Sequence, residues 1–103
     1  MVSEVVKDDC RYILKNTKLT KFNKSKVLIL GGNSFIASYI QATLSFIDCN
    51  ITSISLNKPK GLFKEIFYNS KINFHKFDLT NEKKLKKILN KKFDFIFHCA
   101  TYG

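Results

Sequence analysis

The chain has 103 residues, 45% of them hydrophobic, which suits one small globular domain and excludes an intrinsically disordered protein. Lysine and arginine number 18 against 8 acidic residues, so the formal net charge is +10, yet Arg11 is the only arginine. Because base readout and bidentate phosphate contacts favour arginine, a nucleic-acid binder ranks last among the functions considered. No apolar run is long enough to span a bilayer, and the polar start is unlike a signal peptide.

The three cysteines are widely spaced and odd in number. No pair has the separation typical of a metal site or a redox motif, so the sequence predicts no metal ligands. Reduced thiols are the simplest explanation, and they favour a cytoplasmic location. These residues are Cys10, Cys49 and Cys99.

Residues 1–23 are expected to form an N-terminal helix and a basic connector ahead of the main domain. Helical spacing of apolar residues predicts a helix over residues 3–16, with Ser3 as its N-cap. Lysines among small polar residues indicate that residues 15–25 form a solvated connector. The apolar face predicted for the helix comprises Val6, Cys10, Ile13 and Leu14.

The main domain, residues 24–103, begins with a consecutively apolar strand at Lys26–Leu30, as expected for a strand covered on both faces. A helix over about residues 34–47 follows, and then a second strand over residues 51–56. The buried stripe predicted for this helix comprises Phe35, Ile36, Ile40, Leu44 and Ile47.

Helices and strands continue to alternate in the second half of the domain. A third strand is predicted over residues 72–77, a helix capped by Thr80 or Asn81 comes next, and a fourth strand spans residues 93–99. A short amphipathic helix before the third strand is indicated by Leu62, Phe63, Ile66 and Phe67. The inner face predicted for the last helix comprises Leu85, Ile88 and Leu89. This order predicts an α/β fold, a partial Rossmann-type doubly wound parallel sheet of about four strands with an N-terminal helix.

The most informative feature is an apolar strand that stops at two glycines and turns at once into a helix. In the frame G-x-x-G-x-x-G the three positions are Gly31, Ser34 and Ala37. A turn of this kind holds the pyrophosphate of dinucleotides, because amides at a helix start attract anions. We therefore expect exposed main-chain amides between Leu30 and Ala37 to hold a diphosphate, with the Ser34 hydroxyl as a further donor. An ordinary strand–helix turn accounts for the motif equally well.

Asn57 stands near the end of the second strand, where dinucleotide sites place an acidic residue that binds the adenosine ribose. Its amide can hydrogen-bond a hydroxyl, and Lys58 and Lys60 would tolerate a 2′-phosphate. The choice between NAD and NADP is therefore open, and a plain turn is the alternative interpretation.

Two further segments follow predicted strands. Asp78 could accept a hydrogen bond from an adenine amino group, although a helix-capping loop would have the same residues. Small residues after the fourth strand leave room for a ribose. His98 precedes them, and a structural role suits it better than a catalytic one. The small residues are Cys99, Ala100 and Thr101.

Three motifs together resemble the NAD-dependent epimerase/dehydratase family, the extended short-chain dehydrogenases/reductases. The segment 30–38 is similar to the family's T-G-x-x-G-F-I-G-S turn. The segment 78–80 is similar to its adenine-side D-[LIV]-x motif, and the segment 94–101 to its D-x-[VI]-[IF]-H-x-A-[AST] strand. The motifs occur in the family's order, and the resemblance, over about residues 24–103, matches the first half of its nucleotide domain.

The resemblance implies an NAD or NADP cofactor, with NAD slightly favoured. It also implies a nucleotide-sugar substrate for a complete epimerase, dehydratase or decarboxylase, which could form a homodimer. The N-terminal helix and connector are similar to dTDP-glucose 4,6-dehydratase-like and UDP-glucuronate decarboxylase-like branches. The cofactor contacts expected from the motifs are Gly31, Gly32, Asn33, Ser34, Phe35, Ile36, Ala37, Asn57, Asp78, Leu79, Cys99, Ala100 and Thr101.

Catalysis in this family implies a Tyr-x-x-x-Lys pair, and the chain has none. Asn16, Thr43 and Ile72 stand four positions after Tyr12, Tyr39 and Tyr68, and Tyr102 has no room for a partner. We therefore expect a fragment or a truncated reading frame that does not turn over substrate alone. A non-catalytic NAD(P)-binding or sensing module of the same fold is the alternative, and a Tyr-x-x-x-Lys encoded downstream would favour the enzyme.

Overall fold

The computed structural model describes residues 4–32, 34–57 and 72–99, and these form a parallel sheet with helices on both faces. The predicted Ser3 cap and the predicted helix around residues 62–67 lie outside the described residues. The helices are α1 (Glu4–Asn16), α2 (Phe35–Leu44) and α3 (Glu82–Leu89), with a 3-10 turn at Thr20–Phe22. The strands are β1 (Lys26–Leu30), β2 (Asn50–Ser55), β3 (Ile72–Lys76) and β4 (Phe95–His98).

The four strands are parallel and lie in the order β3-β2-β1-β4. One row of the register joins Leu30 to Ile54 and to His98, and Ile54 is in turn opposite His75. The carboxyl ends of all four strands therefore meet at one edge of the sheet. The predicted α/β class and the partial Rossmann-type sheet are confirmed.

Alternate residues of the central strands build two cores on opposite faces of the sheet. On one face, Val27 and Ile29 pack in a cluster with residues of α1 and α2. On the other face, Leu28 and Ile54 pack with Ile88 of α3. Covering on both faces explains why β1 is apolar at consecutive positions.

Side-chain caps define the starts of two helices. The Ser34 hydroxyl accepts a hydrogen bond from the Ala37 N–H, and the Asn81 side chain accepts one from the Lys84 N–H, which confirms Asn81 as a cap. Helix α2 ends at Leu44 rather than near residue 47. The Phe46 and Ile47 amides donate to carbonyls three residues back, those of Thr43 and Leu44, which tightens the last turn out of the α-helical pattern.

The buried stripe predicted for α2 is wrong at its first two positions. Phe35 and Ile36 are 72% and 69% exposed. Small and polar side chains of α2 are buried instead, because they let the helix lie close to its neighbours. These residues are Ala37, Ser38, Gln41, Ala42 and Thr43. The inner face predicted for α3 is likewise wrong at Leu89, which is 45% exposed, although Ile88 is buried.

The connector predicted as solvated carries a buried aromatic residue. Phe22 in the 3-10 turn is 7% exposed, and its ring centroid lies 4.4 Å from that of Phe95 and 6.0 Å from that of Phe97. Ser25 is also buried, and its hydroxyl donates to the Phe22 carbonyl at 2.5 Å. These contacts hold the connector against β4. The free energy gained by burying the Phe22 ring outweighs the preference of the neighbouring lysines for solvent.

None of the helices within the described ranges is long and apolar enough to cross a membrane. Those ranges also contain no group of three or more His, Cys, Asp or Glu side chains arranged to hold a metal ion. The three cysteines are free, and burial raises the pKa of the Cys10 thiol above its ordinary value.

Lys24 adopts a left-handed backbone conformation with φ of 59°, which penalises any side chain with a Cβ. We expect Lys24→Gly to raise the free energy of unfolding by about 0.5–1 kcal/mol, because glycine has no such penalty. Lys24→Ala is the matched control, since alanine removes the charge but keeps the Cβ. Urea unfolding of the three proteins measures this, and equal gains for both variants would attribute the effect to charge.

Candidate functional site

The carboxyl edge of the sheet gathers most of the residues that the sequence motifs single out. The glycine turn follows β1, Asn57 follows β2, Asp78 follows β3 and Cys99 follows β4. Neighbouring strands lie about 4.8 Å apart, so the three steps from β3 to β4 cover about 14 Å. The site residues are therefore spread in the spatial order Asp78, Asn57, glycine turn, Cys99 along this edge.

The order in which the chain adds parallel strands to the sheet reverses beside the glycine turn. From β1 the chain proceeds outward to β2 and β3, and then it returns to place β4 on the other side of β1. A crevice forms at such a switch point, because the connections on either side of it lead away in opposite directions. The start of α2 lies at this position.

Glycine is required at both positions of the turn for different reasons. Gly31 has φ of 82°, a conformation that side chains with a Cβ rarely adopt. At Gly32 a Cβ would lie 1.9 Å from the Ser53 Oγ and 3.1 Å from the Gln41 Oε1. The turn is thus pressed against β2 and α2 without room for a larger residue.

The amides of the two glycines are already hydrogen-bonded within the protein. The Gly31 and Gly32 N–H groups both donate to the Ile54 carbonyl of β2, at 2.7 Å and 3.0 Å. Of the main-chain donors that the sequence assigned to a diphosphate, these two are therefore engaged with the sheet.

Ser34 stands at the start of α2, where a ligand of the helix terminus would lie. Its Oγ accepts from the Ala37 N–H at 3.2 Å, and its carbonyl accepts from the Ser38 N–H at 2.9 Å. The hydroxyl proton remains a donor. The Ile36 N–H has no acceptor among the described residues, as is usual for an amide in the first turn of a helix.

Exposed apolar side chains flank this helix start. Phe35 and Ile36 both project from it, and the Phe35 ring packs edge-on against Tyr39 with centroids 5.2 Å apart. Tyr39 in turn donates a hydrogen bond from its hydroxyl to Asp9 of α1 at 2.6 Å, which raises the pKa of the tyrosine above its ordinary value. Tyr39 is thereby bound to α1 rather than to a lysine.

Asp78 is an exposed carboxylate at the far end of the edge. Its Oδ1 accepts from the Thr80 N–H at 2.9 Å, and hydrogen bonds from Thr80 hold the pKa of Asp78 below its ordinary value. The neighbouring Leu79 is half-buried against the core on the α3 face. Asp78 thus stays ionised at neutral pH, and its carboxylate is already hydrogen-bonded to Thr80.

The remaining predicted site residues are placed only in part. Asn57 is exposed, and its carbonyl accepts from the Ser55 hydroxyl at 2.6 Å. Cys99 is half-buried, its N–H donates to the Leu30 carbonyl at 2.7 Å, and burial raises the pKa of its thiol. Asn33, Ala100 and Thr101 lie outside the described residues.

Sequence reasoning missed two buried polar residues beneath the turn. Gln41 and Ser53 are both 0% exposed, and both have a side-chain oxygen without a hydrogen-bond partner among the described residues. A signal was present, because Gln41 lies directly between the apolar residues Ile40 and Ala42 of α2.

Comparison with known proteins identifies a solved structure of similar fold and a family. A search of curated proteins gave no match. Among solved structures, the epimerase Mth375 from the thermophilic, pseudomurein-containing methanogen Methanothermobacter thermautotrophicus is similar, with a TM-score of 0.67 at 20% sequence identity. The alignment covers 96% of this chain and 26% of that one, so the present chain spans about a quarter of the neighbour's length. The model of the NAD dependent epimerase/dehydratase family matches residues 27–103, more than half of the chain, and the protein therefore belongs to that family.

Proposed function

We propose that this chain binds the adenosine and diphosphate portion of a nicotinamide dinucleotide at the carboxyl edge of its sheet. The observation that carries the proposal is the coincidence of the glycine turn and the α2 N-terminus with the switch point between β1 and β4. A helix start offers both unpaired N–H groups and the positive end of the dipole to an anion. Family membership supports the same ligand class.

The described residues suit this ligand in the order in which they lie along the edge. The Ile36 N–H and the Ser34 hydroxyl would meet the diphosphate, while the two glycines let it approach the backbone. Asp78 would accept from the adenine amino group, and Asn57 would contact the adenosine ribose. Cys99, with Ala100 and Thr101 after it, would border the nicotinamide ribose. The bound dinucleotide would supply hydride chemistry.

The chain's own residues provide binding and no catalytic pair, since no tyrosine in the sequence is followed by lysine at the fourth position. We therefore assign to these residues the cofactor-binding part of a protein whose substrate is a nucleotide sugar, without turnover by this part alone. The cofactor is NAD or NADP. The Asn57 amide suits a ribose hydroxyl, and the formal charge of +10 would speed the arrival of either anion.

Substitution of Ser34 tests the diphosphate site without disturbing the helix. Serine, aspartate and asparagine cap helices about equally well, so Ser34→Asp and Ser34→Asn are expected to unfold at the same denaturant concentration as the parent. The aspartate places a negative charge beside the diphosphate. We expect Ser34→Asp to weaken NADH binding by about tenfold or more, because like charges at contact distance repel by more than about 1 kcal/mol.

Ser34→Asn is the matched control, because it has the same size as the aspartate and no charge. Calorimetric titration with NADH is expected to give an affinity for it within about threefold of the parent, which corresponds to less than about 1 kcal/mol. Equal affinities for the aspartate and asparagine variants would place the diphosphate elsewhere. Absence of NADH and NADPH binding by the parent protein would refute the proposed function itself.

A further inference from the structure

We propose that Gln41 is the positioning residue of the glycine turn, a role that rests on the proposed dinucleotide site. The side chain is 0% exposed and reaches back along α2. Its Nε2 donates to the Gly32 carbonyl at 2.6 Å and to the Ala37 carbonyl at 2.9 Å. One buried amide thus joins the turn to the first turn of the helix that follows it.

The orientation of this amide is fixed by its partners. Both neighbours of Nε2 are carbonyl oxygens, which only accept, so the nitrogen must face them and Oε1 must face the other way. In that position Oε1 has no donor among the described residues and lies 3.1 Å from the point where a Gly32 Cβ would be. Burying an amide oxygen without a partner costs about 1–3 kcal/mol, so its retention calls for a compensating role.

Gln41 compensates for this cost by fixing the orientation of the Gly32 carbonyl. Because the buried Gln41 amide holds the Gly32 carbonyl toward the core, the partial negative charge of that oxygen is kept away from an anion at the helix start. A helix-bound glutamine therefore preorganises the turn for an anion, and a turn that is ordered in advance binds more tightly than one that must be ordered on binding.

A second feature ties this role to the turn rather than to general packing. Gly32 is pressed between Gln41 on α2 and Ser53 on β2, and its own N–H is held by the Ile54 carbonyl. Gly32 is therefore fixed on its N–H side by the sheet and on its carbonyl side by Gln41. Removing Gln41 frees one side only, which should leave the fold intact while the turn loses its preferred direction.

Gln41→Met is the direct test, because methionine has a similar length and flexibility and donates no hydrogen bond. The variant loses two hydrogen bonds, which destabilises it, but it also no longer buries the unpartnered Oε1, which stabilises it. These effects offset each other, so we expect little change in the denaturant midpoint. ADP and adenosine are the probes, since only ADP carries a diphosphate. We expect Gln41→Met to weaken ADP binding by about tenfold, a change of about 1.4 kcal/mol, and to leave adenosine binding unchanged.

Thr43→Val is the matched control, a buried polar residue of the same helix whose hydroxyl bonds to Cys10 Sγ instead of the turn. It is expected to leave both affinities unchanged. Equal ADP affinity in Gln41→Met and the parent would overturn the positioning role, as would a parallel loss of ADP and adenosine binding, which marks a general structural effect. If the parent protein binds no ADP, NADH or NADPH, the proposed function fails instead.

A measurement on the parent chain keeps the proposal testable if Gln41→Met does not fold. The side-chain amide resonances of Gln41 are expected to exchange slowly with solvent and to shift when ADP, but not adenosine, is added. Resonances that do not respond to saturating ADP would contradict the positioning role.

Discussion

Replacing Gly32 with alanine will lower the free energy of unfolding by about 2 kcal/mol, the usual cost of forcing extra volume into a packed interior. The added Cβ would lie 1.9 Å from the Ser53 Oγ, a distance at which one of the two atoms must move. Ser53 is 0% exposed, so its hydroxyl has no open space to rotate into. Chemical denaturation of the parent and the variant gives the change directly.

A second substitution identifies the atom responsible for this loss. Ser53→Ala removes the Oγ but keeps the Cβ, which would lie 3.3 Å from the new methyl group at Gly32. We expect Ser53→Ala alone to be close to neutral, because its hydroxyl has no hydrogen-bond partner among the described residues. In the double variant about half of the lost stability should return. A Gly32→Ala protein as stable as the parent would contradict the close packing of the turn on β2.

Helix α1 is expected to be an integral part of the fold, and Val6→Asp should show it. Val6 is 0% exposed and belongs to the same core cluster as Val27 and Ile29 of β1. Placing a carboxylate in this cluster should cost about 3 kcal/mol or more, because a buried charge without a partner is either desolvated or protonated at high cost. Thermal and urea unfolding would measure the loss.

The adjacent residue provides the control. Val5 lies in the same helical turn but is 60% exposed, so Val5→Asp introduces the same charge into solvent near the positive end of the helix. We expect its stability to stay within about 0.5 kcal/mol of the parent. Equal effects of the two substitutions would mean that α1 does not pack in this core cluster. The boundary between the N-terminal segment, residues 1–23, and the main domain, residues 24–103, stays a prediction.

Strand positions and topology could be predicted because their signals are local and strong. Four consecutive apolar residues, 27–30, indicate a strand covered on both faces, and alternation of strands with helices indicates a parallel sheet. The faces of α2 could not be predicted, because hydrophobicity alone favoured Phe35 and Ile36 for burial. Close approach of the helix to the sheet selects small residues such as Ala37 instead, and that requirement appears only in three dimensions.

The location of the candidate site could be predicted from the sequence, but its hydrogen bonds could not. The motifs placed Gly31 and Asp78 at the carboxyl edge, where the structure has them. The Ile54 carbonyl accepts hydrogen bonds from both glycine amides because of the register between β1 and β2. Residue types alone do not encode that register. The role of Gln41 depends likewise on a contact nine residues away in sequence and across the turn.

Amide chemical-shift mapping during an NADH titration tests the central claim most directly, because it locates the ligand on the chain. We expect the largest shifts in the segment 34–37 at the start of α2 and at Asp78 and Leu79, with saturation at one equivalent. The exposed lysines of α3, such as Lys83 and Lys87, should be unaffected at moderate salt, where diffuse attraction to the positive charge is screened. Shifts confined to that lysine face, or no shifts at all, would contradict a dinucleotide site at the switch point.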